Sequence, residues 1–162
     1  MGKEEVEKIK REFSSLKLHP EYLKHKEVIT SEDAAKTRGF ELKQGIKAIL
    51  FTNNSDWVIT NIPADKKVDE KKVAVFLGWS KNKIRMAKPE EVLEKTDCQI
   101  GAVPPFGHKE KIKILVDKGI YGNEISTFNI GLRTESVKIP TKEMKIVFNK
   151  LNAIEGDFVK NN

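Results

Sequence analysis

Residues 46–62, IKAILFTNNSDWVITNI, decide the fold class of this 162-residue chain. Two runs of mainly β-branched and other apolar residues, 46–52 and 57–62, flank the polar sequence NNSD. Asparagine and aspartate tolerate the left-handed backbone of a tight turn, and the flanking runs are typical of strands. The stretch therefore predicts a β-hairpin.

Helices and further strands are predicted on both sides of this hairpin. Helical spacing of apolar residues, capping hydroxyls or terminal glycines predict helices at 3–16, 30–39, 69–77, 89–95 and 141–151. Short apolar runs predict strands at 84–87, 100–103, 112–117, 125–130 and 136–139. Since helices join some strands and short turns join others, we expect an α+β fold with a mixed sheet. The last residues, GDFVKNN, are expected to fray.

The composition describes one globular domain with a basic surface. No segment approaches the roughly 18 apolar residues of a membrane span, and the N-terminal sequence lacks the apolar core of a signal peptide. We therefore expect a cytoplasmic protein. The net charge of +6 comes mostly from lysine, which favours contact with a nucleic acid backbone over base reading by arginine. The alternative is that the lysines only keep the protein soluble.

Cysteine and histidine are too few for a local metal signature. The single cysteine, Cys98, excludes an internal disulfide and is expected to be a buried, inert thiol. His19, His25 and His108 lie far apart and show no HxxxH or CxxC spacing. The sequence therefore predicts neither a structural metal nor a cofactor.

Several polar residues stand inside or at the ends of predicted strands. Lys47 has apolar neighbours on both faces, so its ammonium must be paired or must reach water from near the strand start. Lys113 has the same local pattern. Asp117 is expected to cap a turn, with a lysine partner as the alternative. Asn129 is disfavoured in a strand and is expected to bind backbone or ligand, while Gly131 suggests a bulge.

The sequence GAVPPFG, residues 101–107, predicts a stiff loop. Its two prolines restrict the backbone, and Gly101 and Gly107 allow angles that are closed to other residues. Free amides at these glycines can accept an anion or a carbonyl oxygen, and the ring of Phe106 can offer a face to a base or ribose. The alternative is an ordinary connection whose Phe106 packs into the core.

Taken together, these elements resemble the YbaK/ProX family of prolyl-tRNA-editing and aminoacyl-tRNA deacylase domains. The resemblance covers about residues 20–150 and follows the order and spacing of the family. It rests on KHKEVITSEDAA (24–35), IKAILF around Lys47, VDEKKVAVFLG (68–78), RMAKPEEV (85–92), GAVPPFG, ILVD ending at Asp117, and FNIG followed by Arg133.

This resemblance implies a fold and a reaction. The fold is a mixed sheet of about six to seven strands curled around a pocket, with helices outside. The reaction is metal-independent, substrate-assisted hydrolysis of the ester that joins a wrong amino acid to the terminal adenosine of a tRNA. Catalysis is implied for Lys47, which holds the aminoacyl carbonyl or its developing charge, and for Gly101 and Gly107. Substrate contacts are implied for His25, Thr30, Pro105, Phe106, Asp117, Asn129, Gly131 and Arg133.

The most specific expectation is a trans-editing deacylase for a proline tRNA that carries cysteine or alanine. Two positions depart from the family, since Asn129 replaces a frequent serine and Ser136 replaces an acid of some members. One alternative is a non-catalytic tRNA-binding or synthetase-associated module that docks through its N-terminal helix. Another is general RNA or polyphosphate binding through the lysines. The implied division is an N-terminal helix at 1–19, an editing domain at 20–152 and a tail at 153–162.

Overall fold

The computed structural model, which describes residues 2–27 and 29–161, confirms the α+β class. In these residues the α-helices are α1 (Lys3–Ser15), α2 (Ser31–Arg38), α3 (Glu70–Leu77), α4 (Pro89–Thr96) and α5 (Thr141–Lys150). The strands are β1 (Glu21–Lys24), β2 (Ile46–Thr52), β3 (Trp57–Pro63), β4 (Arg85–Met86), β5 (Lys113–Asp117), β6 (Ile125–Asn129), β7 (Glu135–Pro140) and β8 (Ile154–Gly156). None of these helices is long and apolar enough to cross a membrane.

The strands form two sheets in place of the one curled sheet that was expected. The first sheet has the order β1-β7-β6 and is antiparallel, and the second has the order β4-β2-β3-β5-β8. In the second sheet β2 is antiparallel to β3 and β4, whereas β5 is parallel to β3 and β8, so this sheet is mixed as predicted. A single parallel bridge between Gly45 and Thr127 places β6 beside the start of β2, where Lys47 lies.

The hairpin at the centre of the second sheet is the predicted one. Strands β2 and β3 pair along their whole length. In the turn, Asn54 has a positive φ of 76°. The side-chain oxygen of Asn53 accepts hydrogen bonds from the N–H groups of Ser55 and Asp56 at 3.0 and 2.7 Å. The turn residues therefore satisfy backbone groups that the strands leave unpaired.

The predicted beginnings of α2 and α3 coincide with capping contacts. The Thr30 hydroxyl oxygen accepts a hydrogen bond from the Asp33 N–H at 3.1 Å. The Asp69 carboxylate accepts from two N–H groups in the first turn of α3, at 3.0 and 3.2 Å. Such caps fix where a helix begins, and both of these beginnings border the cavity described below.

Helix α1 is part of the hydrophobic core. Val6, Ile9 and Phe13 are buried, and the rings of Phe13 and Phe106 meet edge-on with 5.6 Å between their centroids. Phe106 also packs against Phe128 of β6, at 6.3 Å. Since its apolar stripe packs inside the molecule, α1 does not offer that stripe to a partner.

Two segments differ from the sequence prediction. Residues 100–103 form a loop and not a strand, because Gly101 has a φ of 87° and the Ala102 N–H bonds to the Gln99 carbonyl at 2.9 Å. A left-handed residue interrupts the pleat of a strand, so the strand prediction is wrong. Residues 21–24, for which no element was predicted, form β1 and pair with β7.

The C-terminal residues are folded, so the prediction of a frayed tail is wrong. Strand β8 pairs in parallel with β5, and the side chain of Phe158 is completely buried. The ring of Phe158 meets that of Phe76 of α3 edge-on, with 5.1 Å between centroids. The Phe158 N–H donates to the carboxylate of Asp117 at 2.8 Å. The tail therefore covers one edge of the second sheet.

We expect Phe158→Ala to lower the free energy of unfolding by about 3–5 kcal/mol, because it empties a buried aromatic site. Val75→Ala, on the exposed face of α3, is the matched control and should change that free energy by less than about 0.5 kcal/mol. Urea unfolding followed by circular dichroism measures both values. Equally small effects of the two substitutions would contradict the packing of the tail.

Candidate functional site

A cavity of about 820 Å³ opens along β2. Its wall comes from β2, the start of α2, the segment 67–71, the loop 100–103 and the end of β6. Four of the predicted site residues line it, namely Thr30, Lys47, Gly101 and Asn129. The fold thus brings these four together from distant parts of the sequence.

Lys47 is the half-buried cation of this cavity. Its ammonium Nζ donates a hydrogen bond to the carbonyl oxygen of Lys66 at 3.0 Å. Burial lowers the pKa of the Lys47 ammonium below the ordinary lysine value, Glu32 and Asp65 act against this shift, and the positive charge of Lys67 acts with it. Desolvation disfavours the charged form, and a carbonyl dipole compensates it only in part. The ammonium therefore favours a further negative partner in the cavity.

Lys113 shows why the sequence pattern alone did not identify the site. It has the same apolar neighbours in sequence as Lys47, but it is the first residue of β5 and its side chain is exposed. Lys47, by contrast, is the second residue of a strand whose start is covered by β6 and by the segment that follows β3. Burial from distant segments, and not the local sequence, distinguishes the two lysines.

Gly101 brings the backbone of the loop close to its neighbours at the cavity wall. Its φ of 87° is unfavourable for other residues, and a Cβ atom there would lie 2.8 Å from the carbonyl oxygen of Ile29. Within the described residues, the N–H groups of Gly101 and Val103 have no hydrogen-bond acceptor. Both residues line the cavity, so these two donors are available to a ligand oxygen.

Asn129 combines a structural contact with an unused acceptor. Its side-chain amide donates to the carbonyl oxygen of Gly101, which anchors the loop to the end of β6. Its carbonyl oxygen Oδ1 is buried and has no donor among the described residues. A buried oxygen without a donor costs about 1–3 kcal/mol. The strand-disfavoured asparagine is thus explained by contacts that the sequence does not show.

Three other residues of the predicted loop set lie away from the cavity. Pro105 and Phe106 are buried, and the Phe106 ring packs into the core against Phe13, which is the alternative that the sequence left open. Gly107 faces α1, where an added Cβ atom would lie 3.0 Å from the side chain of Ile9. These residues hold the base of the loop, while Gly101 at its beginning reaches the cavity.

The predicted site residues in the segments next to the first sheet lie outside the cavity wall. Gly131 lies against α1, because a Cβ atom there would lie 2.6 Å from the carbonyl oxygen of Gly2. The Arg133 guanidinium donates to the carbonyl oxygen of Ile100 at 2.9 Å, next to Gly101. A ring nitrogen of His25 lies 2.9 Å from the hydroxyl oxygen of Ser136. Of these side chains, Arg133 has the most direct effect on the site, since it fixes the loop.

Asp117 caps a turn, as its first interpretation predicted. Its carboxylate accepts hydrogen bonds from the N–H groups of Gly119 at 2.9 Å and Phe158 at 2.8 Å. Among the described residues neither oxygen has a lysine partner, which was the alternative. The residue therefore connects the end of β5 to the C-terminal segment.

Sequence reasoning missed two groups of cavity residues. The first group is basic and consists of Lys67, Lys71 and Lys160, and the second is apolar and exposed at the opening and consists of Ile29, Met86 and Ile100. Lysine-rich composition around residue 67 was a partial signal for the first group. Nothing in the local sequence indicates that Lys160, near the C-terminus, reaches the same wall.

The site residues do not form a metal-binding cluster in the described part of the chain, where no three His, Cys, Asp or Glu side chains come together. The thiol of Cys98 is buried, as predicted, and burial raises its pKa to about 12. What the cavity offers is the half-buried ammonium of Lys47, three exposed lysines and the free amides of Gly101 and Val103. Such a set can bind and stabilise a negatively charged oxygen.

Comparison with known proteins identifies relatives for most of the chain. Residues 25–146 match the family model described as an aminoacyl-tRNA editing domain. The Bacillus subtilis (strain 168) protein YwhH, named as uncharacterized, is 34% identical over 116 residues, which are 71% of this chain and 72% of YwhH. The Escherichia coli (strain K12) multifunctional Ser/Thr-tRNA deacylase ProXp-y is 31% identical over 125 residues, which are 74% of this chain and 73% of that protein.

Two further similarities are more limited. The proline--tRNA ligase of Thermosipho melanesiensis (strain DSM 12029 / CIP 104789 / BI429) is 32% identical over 93 residues, which are 57% of this chain but 16% of the ligase. The solved structure of hypothetical protein APE2540 superposes with a TM-score of 0.84 over 94% of this chain and 99% of its own, at 20% identity. The first similarity concerns one part of a ligase, and the second shows the fold alone.

We expect the Lys47 ammonium to titrate below the ordinary lysine pKa, because burial lowers its pKa. Lysine side chains labelled with ¹³C at Cε report each titration by NMR, and Lys47→Arg assigns the signal by removing it. The neutral amine is favoured by folding, so the folded state should gain stability relative to the unfolded chain as pH rises through this lowered pKa. Titration of every lysine near its ordinary pKa would contradict the burial of this ammonium.

Proposed function

This chain belongs to the aminoacyl-tRNA editing domain family, and we propose that it is a trans-editing deacylase that hydrolyses the ester of mischarged aminoacyl-tRNA. Family membership supports the general activity, and the E. coli relative is itself named a deacylase. The observation that carries the proposal is the cavity lined together by Lys47, whose half-buried ammonium donates to a backbone carbonyl, and by Gly101 and Val103, whose N–H groups have no acceptor among the described residues.

The proposed reaction uses these groups to stabilise charge on the ester oxygen. Water adds to the carbonyl carbon, and the negative charge that moves onto the carbonyl oxygen is held by Lys47 and the loop amides. The bond to the ribose oxygen then breaks, and that oxygen takes the proton that the attacking water has lost. The products are a free amino acid and a tRNA with a free terminal hydroxyl.

The substrate supplies part of the catalysis in this mechanism. An aminoacyl ester is already activated, so the protein mainly has to position it and stabilise the charged intermediate. The neighbouring ribose hydroxyl of the terminal adenosine orients the attacking water. For these reasons the mechanism requires neither a metal nor another cofactor.

The substrate is proposed to be the acceptor end of a proline tRNA that carries alanine or cysteine. The similarity to part of a proline--tRNA ligase supports this tRNA, and it makes a prolyl-tRNA synthetase a candidate partner. The reaction is proposed to take place in the cytoplasm, where tRNA is charged. A non-catalytic module that docks through α1 is less well supported, because the apolar stripe of that helix is buried.

Serine and threonine are the second candidates for the aminoacyl group. The E. coli relative is named for these two amino acids. The buried Oδ1 of Asn129 adds a physical reason, since it lacks a donor among the described residues and a substrate hydroxyl can supply one. The same oxygen can instead accept from the α-ammonium that all aminoacyl esters share.

We expect Lys47→Ala to lower the rate of deacylation by at least about 10²-fold, because it removes the cation that stabilises the ester oxygen. The rate is measured on a panel of tRNAs charged with alanine, cysteine, serine, threonine and proline, with spontaneous hydrolysis subtracted. Lys113→Ala is the matched control, since this lysine has the same sequence pattern but is exposed, and it should retain the full rate.

Two results would contradict the proposal. Full activity of a folded Lys47→Ala variant would remove Lys47 from the mechanism. Salt-sensitive binding of tRNA with no turnover of any member of the panel would favour the non-catalytic module instead.

Asn129→Leu distinguishes the two contacts proposed for the Asn129 oxygen. If Oδ1 accepts from a substrate hydroxyl, the ratio of kcat/KM for seryl over alanyl substrate should fall by about 10-fold. If Oδ1 accepts from the α-ammonium, both values should fall alike. Loosening of the loop acts on both substrates equally, so the ratio isolates the hydroxyl contact.

A further inference from the structure

We propose that the C-terminal segment 157–161 joins the segment 66–72 to form a binding site for the phosphodiester backbone of the RNA that enters the cavity. The cations of this site are Lys67, Lys71 and Lys160, which all line the cavity wall. The inference rests on the proposed function, because it places the RNA on the path that leads to Lys47. Lys160 lies outside the residues that match the family model.

Backbone contacts hold the C-terminal segment against the cavity wall. The Asp69 N–H donates to the carbonyl oxygen of Phe158 at 2.8 Å, and the Lys160 N–H donates to that of Lys67 at 2.9 Å. Val68 and Val159 form an antiparallel bridge between these two contacts. The position of Lys160 is therefore set by its backbone, which leaves its side chain exposed.

The side chain of Lys72 also binds the C-terminal segment. Its ammonium donates to the carbonyl oxygen of Val159 at 2.7 Å, to Asp157 at 3.1 Å and to the side-chain oxygen of Asn161 at 3.2 Å. The contact with Lys72 lowers the pKa of Asp157 and engages its charge. Lys72 thus has a structural role, and the acid nearest in sequence to Lys160 is already paired.

The three proposed cations are available to an anion. In the described part of the chain, none of their ammonium groups has an ion-pair partner, and all three side chains are exposed. Two acids share the wall, Asp69 and Glu70, but the Asp69 carboxylate is engaged by backbone N–H groups. Unpaired lysines grouped on one wall attract a polyanion, and an ammonium binds phosphate as a point charge.

Backbone contacts connect this proposed phosphate site to Lys47. Lys47 donates to the backbone of Lys66, Lys67 follows in the chain, and Lys160 binds the backbone of Lys67. The cations therefore lead away from the ammonium that would hold the ester. In this proposal, an RNA whose terminal ester lies at Lys47 places its preceding phosphates along the wall that Lys67 and Lys160 line.

Binding of an uncharged RNA tests this site separately from catalysis. The probe is a fluorescent RNA hairpin with a single-stranded CCA 3′ end and no amino acid, and the protein is the full chain. We expect Lys160→Gln and Lys67→Gln each to raise the Kd about 3- to 10-fold at about 50 mM salt, and to lower the salt slope of log K by about 0.7. Lys142→Gln, an exposed lysine at the start of α5, is the control and should change neither value.

The outcomes separate this inference from the proposed function. Binding by Lys160→Gln that equals the control in affinity and salt slope would overturn the site, even if deacylation is normal. Lysine-dependent binding without any deacylation would support the site and contradict the proposed function. Because the Lys160 side chain is exposed and has no hydrogen bond or ion pair within residues 2–27 and 29–161, equal melting temperatures of the variant and wild type are expected and should be verified.

Discussion

The cation of Lys47, half-buried at the covered start of a strand, is the constraint on which the rest of the site depends. The apolar residues of β2 and the packing of β6 beside it partly desolvate the ammonium. The carbonyl dipole of Lys66, to which the ammonium donates, compensates only part of this desolvation. A charge left in this state interacts strongly with any anion that develops next to it, because little water remains to screen it. The half-buried Lys47 therefore binds an anion more strongly than an exposed lysine such as Lys113 does.

Three contacts fix the loop of residues 100–107, which borders the same cavity. Phe106 anchors its base in the aromatic cluster with Phe13, the Arg133 guanidinium holds the carbonyl of Ile100, and the amide of Asn129 holds that of Gly101. Each contact engages a side chain or a carbonyl, so the N–H groups of Gly101 and Val103 keep no acceptor among the described residues. Donors that are already positioned before a charge develops need no reorganisation during the reaction. The packing of α1 against Phe106 thus helps to hold the loop that borders the site.

The sequence predicted those parts of the structure that local chemistry controls. Local contacts within a few residues stabilise the hairpin turn, the caps at Thr30 and Asp69 and the terminal glycines of α2 and α3. The local sequence pattern is therefore sufficient to predict these features. The tail was mispredicted because β8 and Phe158 depend on partners in β5 and α3, far away in the chain. For the same reason no local pattern indicates Lys160, whereas Lys47, Gly101 and Asn129 were expected from the resemblance and all three line the cavity.

On the proposed RNA path, the lysines of the cavity wall would also couple RNA binding to the charge of Lys47. The positive charge of Lys67 helps to lower the pKa of the Lys47 ammonium. A phosphate bound to Lys67 on the proposed RNA path neutralises this repulsion and raises the Lys47 pKa towards its ordinary value. By linkage, protonation of Lys47 and binding of the RNA then favour each other. In the proposed mechanism, part of the RNA-binding free energy would then offset the cost of keeping the Lys47 charge half-buried.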